Sequence, residues 1–262
     1  MRMAGSLRDR LRPLKRLSLA LALALAGCAP AVTGLAPAPP AARATDPAVA
    51  APRPPPPAPS DAPNCAIDDR LTPERAYDDP AATILDRTYA LPADYLPPDL
   101  EPLGGEVWVR RVAVPDLEAM RDAAARSGTA FRVVSGFRPY AEQELTFQHW
   151  VAIDGLAAAL QTSARPGHSE HQLGTAIDVA EDDTPPWQDG YDFAHTRAGT
   201  WLATHAWEYG FVMSYPFAKE AVTCYAYEPW HFRWIGRANA ATVRASGLTL
   251  REFQEARRAA DR

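Results

Sequence analysis

The stretch SARPGHSEHQLGTAIDVA, residues 163–180, joins a polar loop to a short apolar strand. Asp178 lies between Ile177 and Val179, whose side chains point to the opposite face of a strand. The carboxylate is therefore partly buried, and it needs a cation because burying an unpaired charge is costly. His171 in the preceding loop could join Asp178 on one metal ion, although an ordinary histidine–aspartate hydrogen bond is the commoner explanation of such a pair.

A second polar cluster lies in the segment YEPWHFRWIG, residues 227–236. Glu228 and His231 are three residues apart, so in a regular strand their side chains would point to opposite faces. Pro229 between them cannot donate a hydrogen bond to a strand ladder, and it predicts a kink that turns both groups toward one cleft. The hypothesis is that His231 joins His171 and Asp178 on a single ion.

Two imidazoles and one carboxylate are the ligand set of an open, catalytic zinc site, whereas closed structural sites are rich in cysteine. Three protein ligands leave a fourth position for water. One zinc ion in this setting would keep a net positive charge and lower the pKa of that water toward about 7. Glu228 is the candidate base that takes the proton and later hands it to the leaving amine.

The rest of the chain predicts a mixture of helices and short strands. Hydrophobic spacing predicts helices over 114–128 with Asp116 as a cap, over 139–160, over 198–210 and over 249–260. Strands are predicted over 130–136, 174–180, 211–216 and 221–228, and 229–236 continues extended. Because regular βαβ alternation is absent from this pattern, the predicted fold class is α+β with a small, mainly antiparallel sheet and flanking helices.

The composition predicts one globular domain. Of 262 residues, 47% are hydrophobic, and all seven Trp lie beyond residue 64, so 65–262 is the predicted folded unit and we expect a monomer. The first 28 residues hold six of the 27 basic residues and one of the 32 acidic ones, which leaves 21 basic and 31 acidic residues in the remainder. This acidic balance disfavours nucleic-acid binding, which needs a basic face.

Residues 1–28 have the pattern of an export signal. A basic segment over 1–16 precedes an apolar segment of ten residues, LSLALALALA, which is too short to span a bilayer comfortably. Cys28 follows Leu25-Ala26-Gly27, an arrangement that resembles the bacterial lipoprotein signal, in which the cysteine is lipidated. An uncleaved anchor and a plain secretory signal are the alternatives. Each of them takes the chain out of the cytoplasm, so we expect a cell-envelope protein that faces the periplasm or the cell exterior.

The segment that follows Cys28 predicts an extended tether. Residues 29–63 contain 12 Pro and 12 Ala and no aromatic residue, so 29–64 cannot form a core of its own. A polyproline II chain of this length reaches on the order of 100 Å, far enough to let a membrane-anchored domain touch the cell wall. The remaining pair, Cys65 and Cys224, predicts a disulfide between the start of the domain and a strand near the site; two free buried thiols are the alternative.

Three segments together resemble the signature blocks of the VanY-type D-alanyl-D-alanine carboxypeptidases. They are SGFRPYAEQ (135–143), ARPGHSEHQLGTAIDV (164–179) and YEPWHFRWIG (227–236). These enzymes are zinc peptidases with a hedgehog/DD-peptidase-like fold, related to the VanX dipeptidases and the hedgehog signalling domain. The resemblance runs from about residue 95 to about residue 256, and its combination of S-x-H-x-x-G-x-A-x-D with E-P-W-H is highly specific.

The resemblance implies a role for each candidate residue. It implies zinc ligation by His171, Asp178 and His231, with Glu228 as the base. Arg138 would polarise the scissile carbonyl and stabilise the oxyanion, and Ser169, Gln143 and Arg138 would hold the substrate's terminal carboxylate. A surface arginine, a solvent-facing glutamine and a loop hydroxyl bonded to backbone are the corresponding alternatives.

The predicted function is zinc-dependent removal of the terminal D-alanine from peptidoglycan stem peptides. The same zinc chemistry would serve an L,D-carboxypeptidase or an L-Ala–D-Glu endopeptidase, and the catalytic residues do not separate these reactions. A cell-wall-binding or signalling module without turnover is the alternative from another class. The acidic segment 180–192 is expected to be a solvated loop rather than a second metal site.

Overall fold

The computed structural model describes residues 65–72, 77–182 and 190–260, with the backbone alone at 190–192. Its strands are β1 (Arg70–Leu71), β2 (Tyr89–Ala90), β3 (Leu100–Gly104), β4 (Val107–Arg110), β5 (Phe131–Ser135), β6 (Ala176–Glu181), β7 (Phe211–Met213) and β8 (His231–Trp234). Its α-helices are α1 (Val114–Arg126), α2 (Tyr140–Asp154), α3 (Leu156–Thr162), α4 (Gly190–His195), α5 (Arg197–His205), α6 (Glu220–Thr223), α7 (Arg237–Ser246) and α8 (Leu250–Ala260). Among these helices, none has the length and apolar character needed to cross a membrane.

The sheet that carries the predicted ligands has the strand order β5-β6-β8-β7, and every pairing in it is antiparallel. Asp178 on β6 lies opposite His231 on β8, so two predicted ligands face each other across adjacent strands. A register shift between Val133 and Ser135 places an irregularity of β5 beside Asp178. The predicted α+β class with a small antiparallel sheet is confirmed.

The two faces of this sheet have different chemistry because side chains alternate along a strand. One face packs against α1 and α5 and contributes to a buried apolar cluster that includes Leu117, Met120, Ala124, Ile177, Val179, Leu202, Phe211 and Phe232. Asp178 alternates with Ile177 and Val179, so its carboxylate points to the other face, where His231 also lies. The apolar positions therefore fix the strand register that brings the polar ones together.

Two helical predictions need correction in detail. The predicted helix over 139–160 is two helices, α2 and α3, because Gly155 between them adopts φ +80. Helix α1 is confirmed, but its cap position is Ala113, and Asp116 lies in the first turn instead. The Asp116 carboxylate accepts hydrogen bonds from Trp234 Nε1 at 2.8 Å and Arg237 Nε at 2.6 Å, so it joins the helix to the end of β8.

The predicted strand over 221–228 is wrong. Residues Glu220–Thr223 form the short helix α6, and Cys224 ends it with φ +69. The chain then bonds outside any sheet, with Ala226 N donating to Gln161 O at 2.8 Å and Glu228 N donating to Tyr215 O at 3.1 Å. These tertiary bonds override the β-forming composition of the segment. Pro229 consequently lies in a turn before β8, not in a kinked strand.

The predicted disulfide is confirmed. Cys65 and Cys224 are bonded, with their Cα atoms 5.4 Å apart. Cys224 is the C-terminal cap of α6, so the disulfide joins the start of the domain to a helix end and not to a strand. The residues of the predicted signal (1–28, with Cys28) and of the predicted tether (29–64) lie outside the described part of the chain. Residues 183–189 of the acidic loop also lie outside it.

Candidate metal centre

His171, Asp178 and His231 lie together in one buried cluster. Each side chain offers a ligand atom, and these atoms lie within 4.8 Å of one another. His171 Nε2 is 3.0 Å from Asp178 Oδ2, and His231 Nδ1 is 2.9 Å from Asp178 Oδ1. The structure therefore brings together the three residues that the sequence predicted as metal ligands.

The backbone just after β5 fixes the orientation of the His171 ring. Its Nδ1 donates to the carbonyl oxygen of Gly136 at 2.7 Å, which leaves Nε2 directed at Asp178. The residue lies in a 3-10 helix, Glu170–Leu173, whose N-terminus is capped by Ser169. A histidine ligand whose second nitrogen is held by a carbonyl has a fixed ring and a fixed tautomer.

His231 is oriented through the opposite nitrogen. Its Nδ1 faces Asp178, and its Nε2 lies 2.9 Å from Oε2 of Glu170. Glu170 is itself buried and accepts hydrogen bonds from Ser214 Oγ at 2.6 Å and from Arg233 Nη1 at 2.8 Å. The ring of Tyr215 packs on His231 with the ring centroids 5.1 Å apart.

The charges around the cluster keep its carboxylates ionised. Burial raises the pKa of Asp178, but the charges and hydrogen bonds of His171 and His231 outweigh it and hold that pKa well below the usual range. Burial likewise opposes the ionised form of Glu170, yet the Arg233 charge and the His231 hydrogen bond lower its pKa to about 2. Burial lowers the pKa of His171, which favours the neutral form that a ligand needs.

Glu228 lies beside the ligand cluster. Its Oε2 is 4.0 Å from His231 Nδ1, and its side chain is 15% exposed. Burial raises the pKa of Glu228, and the nearby charges of Asp178 and Glu170 raise it further, to about 8. A carboxyl group with a pKa near neutrality can both accept and return a proton.

Arg138 and Ser169 are bonded to His171 of the cluster through Arg138 N and Ser169 Oγ, and Gln143 is held by the loop that precedes it. The charge of Arg138 acts on the titration of both His171 and Glu228, and its buried Nε meets no hydrogen-bond partner among the described residues. Gln143 is buried and donates from Nε2 to Ala164 O at 2.7 Å, and its Oε1 meets no partner in the same described ranges. Ser169 Oγ accepts from His171 N at 3.3 Å, so it is a cap whose own hydroxyl proton stays available for another acceptor.

Sequence reasoning missed the carboxylate behind His231. Glu170 stands between Ser169 and His171 without a predicted role, and Arg233 lies in the segment 229–236 that is predicted to be extended. A signal existed, because Arg233 and His231 share one face of β8 and an arginine in an apolar strand needs a buried acceptor. The partner could not be named from sequence, since 63 positions separate Glu170 from Arg233.

The donor set of this cluster fits zinc. Two imidazole nitrogens and a carboxylate oxygen converge, and the far nitrogen of each imidazole already has an acceptor. Ligand atoms that share a tetrahedral zinc at about 2.0–2.1 Å lie roughly 3.3 Å apart, close to the 3.0 and 2.9 Å separations seen here. Three ligands with a carboxyl group alongside leave an open position, as a catalytic site requires.

A small antiparallel sheet that presents Asp178 and His231, with His171 from the preceding 3-10 helix and Glu228 alongside, defines a zinc peptidase of the DD-peptidase-like fold. The sequence also matches the model of the VanY family, D-alanyl-D-alanine carboxypeptidase, over residues 106–237. The chain belongs to the VanY family. The matched region contains all three ligand residues, Glu228 and Arg138.

Curated relatives share this region. The chain is 35% identical over 185 residues to the putative carboxypeptidase YodJ of Bacillus subtilis, a match that spans 66% of each chain. It is 34% identical over 163 residues to the bifunctional D-Ala-D-Ala dipeptidase and D-Ala-D-Ala carboxypeptidase VanXYC of Enterococcus gallinarum, over 60% of this chain and 77% of that one.

Solved structures share the fold. The LdcB LD-carboxypeptidase aligns with a TM-score of 0.63 at 30% identity, over 72% of this chain and 98% of that one. A mutant of the vancomycin resistance D,D-pentapeptidase VanY, in complex with Zn(II), aligns with a TM-score of 0.58 at 31% identity, over 66% and 98%. VanYB in complex with D-alanine-D-alanine aligns with a TM-score of 0.59 at 30% identity, over 67% of this chain and 97% of that one.

Proposed function

We propose that the chain is a zinc-dependent D,D-carboxypeptidase that removes the terminal D-alanine from peptidoglycan stem peptides. The observation that carries this proposal is the buried triad His171, Asp178 and His231 with Glu228 Oε2 4.0 Å from one ligand nitrogen. The family membership and the D-Ala-D-Ala complex of VanYB support the choice of substrate.

The chain's own residues supply positioning, proton transfer and charge. Zinc, when bound by the three ligands, supplies Lewis-acid chemistry at the cleft. Glu228 accepts a proton from the attacking water and delivers it to the amine nitrogen of the departing D-alanine. Arg138 offers a guanidinium to the negative charge that develops on the carbonyl oxygen, or to the carboxylate of the terminal residue. Ser169 and Gln143 are the candidate partners of that carboxylate.

Replacing the base tests this assignment. The Glu228→Gln variant should bind zinc as the parent does and lose turnover of a D-Ala-D-Ala stem pentapeptide by about 10²–10⁴-fold, because proton transfer is lost while all three ligands remain. Zinc content is measured by metal analysis and turnover by release of D-alanine. A variant that hydrolyses as fast as the parent would show that Glu228 is not the base, and a parent without turnover would favour a non-catalytic wall-binding module.

An L,D-carboxypeptidase is the second candidate, and a specific observation favours it: the LdcB LD-carboxypeptidase aligns over 98% of its length. The zinc ligands do not separate the two activities, since the difference lies in the pocket that receives the leaving residue and its neighbour. Purified pentapeptide and tetrapeptide muropeptides, incubated separately and analysed by mass, decide between them. Loss of alanine from the pentapeptide alone supports D,D activity, and loss from the tetrapeptide supports L,D activity.

We also propose that the domain works from a membrane-attached tether. The lipoprotein-type pattern before Cys28 and the Pro/Ala-rich composition of 29–64 support this arrangement. Mass analysis of the mature N-terminus should find a lipidated cysteine, and Cys28→Ser should move the protein from the membrane fraction to the soluble fraction. Retention of that variant in membranes would contradict lipid anchoring through Cys28.

A further inference from the structure

The buried side of the metal centre holds a second carboxylate that the proposed reaction does not use. Glu170 is 4% exposed and lies behind His231, with Oε2 2.9 Å from the ring nitrogen that faces away from Asp178. Glu170 does not belong to the ligand cluster His171, Asp178 and His231, so its function must be exerted through one of its neighbours.

Both oxygens of Glu170 are held in place. Oε1 accepts from Arg233 Nη1 at 2.8 Å, and Oε2 accepts from Ser214 Oγ at 2.6 Å in addition to His231. Arg233 is 0% exposed and is itself anchored, because its Nη2 donates to the carbonyls of Pro80 at 2.7 Å and Thr83 at 2.8 Å. The carboxylate therefore cannot rotate without breaking several buried hydrogen bonds, each costly to lose.

This fixed acceptor decides which nitrogen of His231 carries hydrogen. Asp178 and Glu170 are both acceptors only, so without an ion each ring nitrogen of His231 has a carboxylate to donate to. An ion held with Asp178 would take the Nδ1 lone pair, and the one proton that remains on the ring is then on Nε2, facing Glu170. His171 has the reverse arrangement, with Nδ1–H on the Gly136 carbonyl. The two histidines thus offer different nitrogens to one ion, and each requires its own acceptor.

We propose that Glu170 is a positioning residue that fixes the ring and the tautomer of His231 and thereby sets the affinity of the site for zinc. The inference rests on the proposed function only in that zinc is the ion. The competing explanation is that Glu170 and Arg233 form an ion pair with a purely structural role. A buried carboxylate–arginine pair can often be replaced by apolar residues without loss of stability, so removing both partners tests the role of Glu170 without leaving a buried charge.

Paired variants separate the two explanations. The double variant Glu170→Met/Arg233→Met removes both charges, so neither is left buried alone. Its matched control is Asp86→Asn/Arg251→Met, which removes another buried ion pair, Arg251 Nε to Asp86 Oδ2 at 2.7 Å with side chains 9% and 4% exposed. The single variant Glu170→Gln is nearly isosteric, but its one amide oxygen cannot accept from both Arg233 Nη1 and His231 Nε2 as the two carboxylate oxygens do.

The readout is zinc affinity, measured on the folded proteins by competition with a chromogenic chelator. The Glu170/Arg233 double variant should bind zinc about 10–100-fold more weakly than the parent, the range typical for losing the partner of a metal-bound histidine. The Asp86/Arg251 control should stay within about twofold of the parent, and Glu170→Gln should lose less than the double variant. Imidazole ¹⁵N spectra of the zinc-loaded parent should show one histidine protonated at Nε2 and one at Nδ1.

Equal zinc affinity in the parent and in the Glu170/Arg233 variant would overturn the inference, as would an equal loss in the Asp86/Arg251 control. If circular dichroism shows that the double variant does not fold, Glu170→Gln decides: a measurable loss of affinity supports the inference, and parent affinity overturns it. A parent that takes up no zinc would instead defeat the proposed function, so the two failures are distinguishable.

Discussion

Gly136 illustrates how closely the backbone is packed around the first metal ligand. Its carbonyl accepts from His171 Nδ1 at 2.7 Å, and a Cβ added to it would lie 2.3 Å from the carbonyl oxygen of Trp108. The neighbouring Phe137 N also donates to Trp108 O at 2.6 Å. Only glycine allows this approach of two backbone segments, so the residue before Phe137 and Arg138 is part of the site.

We expect Gly136→Ala to destabilise the protein by about 1–3 kcal/mol and to weaken zinc binding, because the displaced carbonyl no longer holds the His171 ring. Denaturant unfolding and chelator competition measure the two effects. The control is Gly105→Ala, where an added Cβ meets nothing within 4 Å and only the backbone φ of +59 opposes alanine. Unchanged zinc affinity in Gly136→Ala would contradict the assigned role of its carbonyl.

The largely buried Glu228, whose side chain is 15% exposed, predicts a pH-dependent stability in protein kept free of metal with a chelator. Burial raises its pKa to about 8 from an ordinary 4.5, so the folded state holds a proton that the unfolded state releases above pH 4.5. Stability is therefore lost as pH rises from 4.5 to 8. Glu228→Gln should remove this loss and exceed the parent in stability by on the order of 5 kcal/mol above pH 8.

Unfolding by denaturant at pH 5 and pH 8.5 checks this prediction. The gap between Glu228→Gln and the parent should be small at pH 5 and large at pH 8.5. The exposed Glu118→Gln on α1 serves as the control and should show no such growth. A gap that stays the same at both pH values would mean that Glu228 titrates normally in the folded chain.

At the scale of elements, α1 positions the sheet that carries the ligands. Leu117 and Met120 are 0% exposed and pack in the same cluster as Ile177 and Phe232, the neighbours of Asp178 and His231. The ligand strands β6 and β8 are therefore held from their apolar face, while their polar face forms the site. Packing on one face and chemistry on the other make stability and metal binding separable.

Leu117→Ala should lower the free energy of unfolding by about 2–5 kcal/mol, because it leaves a cavity in this cluster. Zinc affinity at a temperature where the variant is folded should remain near that of the parent, since no ligand or its acceptor is touched. Thermal unfolding and chelator competition provide the measurements, and Glu118→Ala on the exposed side of the same helix is the control. A large loss of zinc affinity would show that the two faces of the sheet are coupled.

At the scale of the whole molecule, support for the metal centre extends beyond the region that defines the family. The family match covers residues 106–237, yet Arg233 is anchored by the carbonyls of Pro80 and Thr83. Farther toward the N-terminus, Asp69 accepts from Arg165 Nη1 at 2.6 Å in the loop that leads to the ligands. The described residues before 106, which are 65–72 and 77–105, therefore belong to the working unit.

The Cys65–Cys224 disulfide closes a separation of 159 residues across this unit. In a chain that also carries Cys28→Ser, the change Cys65→Ser/Cys224→Ser should lower the free energy of unfolding by about 3–5 kcal/mol, because the cross-link restricts the unfolded chain. The Cys28→Ser chain with its disulfide intact is the control for denaturant unfolding. Equal stability of the two chains would show that the cross-link does not constrain the unfolded state.

The sequence by itself determined the parts of this protein that depend on local pattern. Hydrophobic spacing predicted a helix over 114–128, in which Leu117 and Met120 are buried, and alternation predicted that Asp178 points to the face opposite Ile177 and Val179. The blocks around Arg138, His171 and Glu228 were specific enough to indicate the family and its ion. These features can be predicted from sequence because each depends on residues that are close together in the chain.

Only the tertiary structure decided what depends on distant segments. The β-rich segment 221–228 became α6 and a loop because its backbone bonds to Gln161 and Tyr215, which local propensity does not reveal. The carboxylate behind His231 stayed hidden for the same reason: Glu170 meets His231, Ser214 and Arg233 only after the chain has folded. A charged residue in an apolar strand indicates from sequence that it needs a buried partner, because burying an unpaired charge is costly. Which residue is that partner depends on the packing of the whole chain.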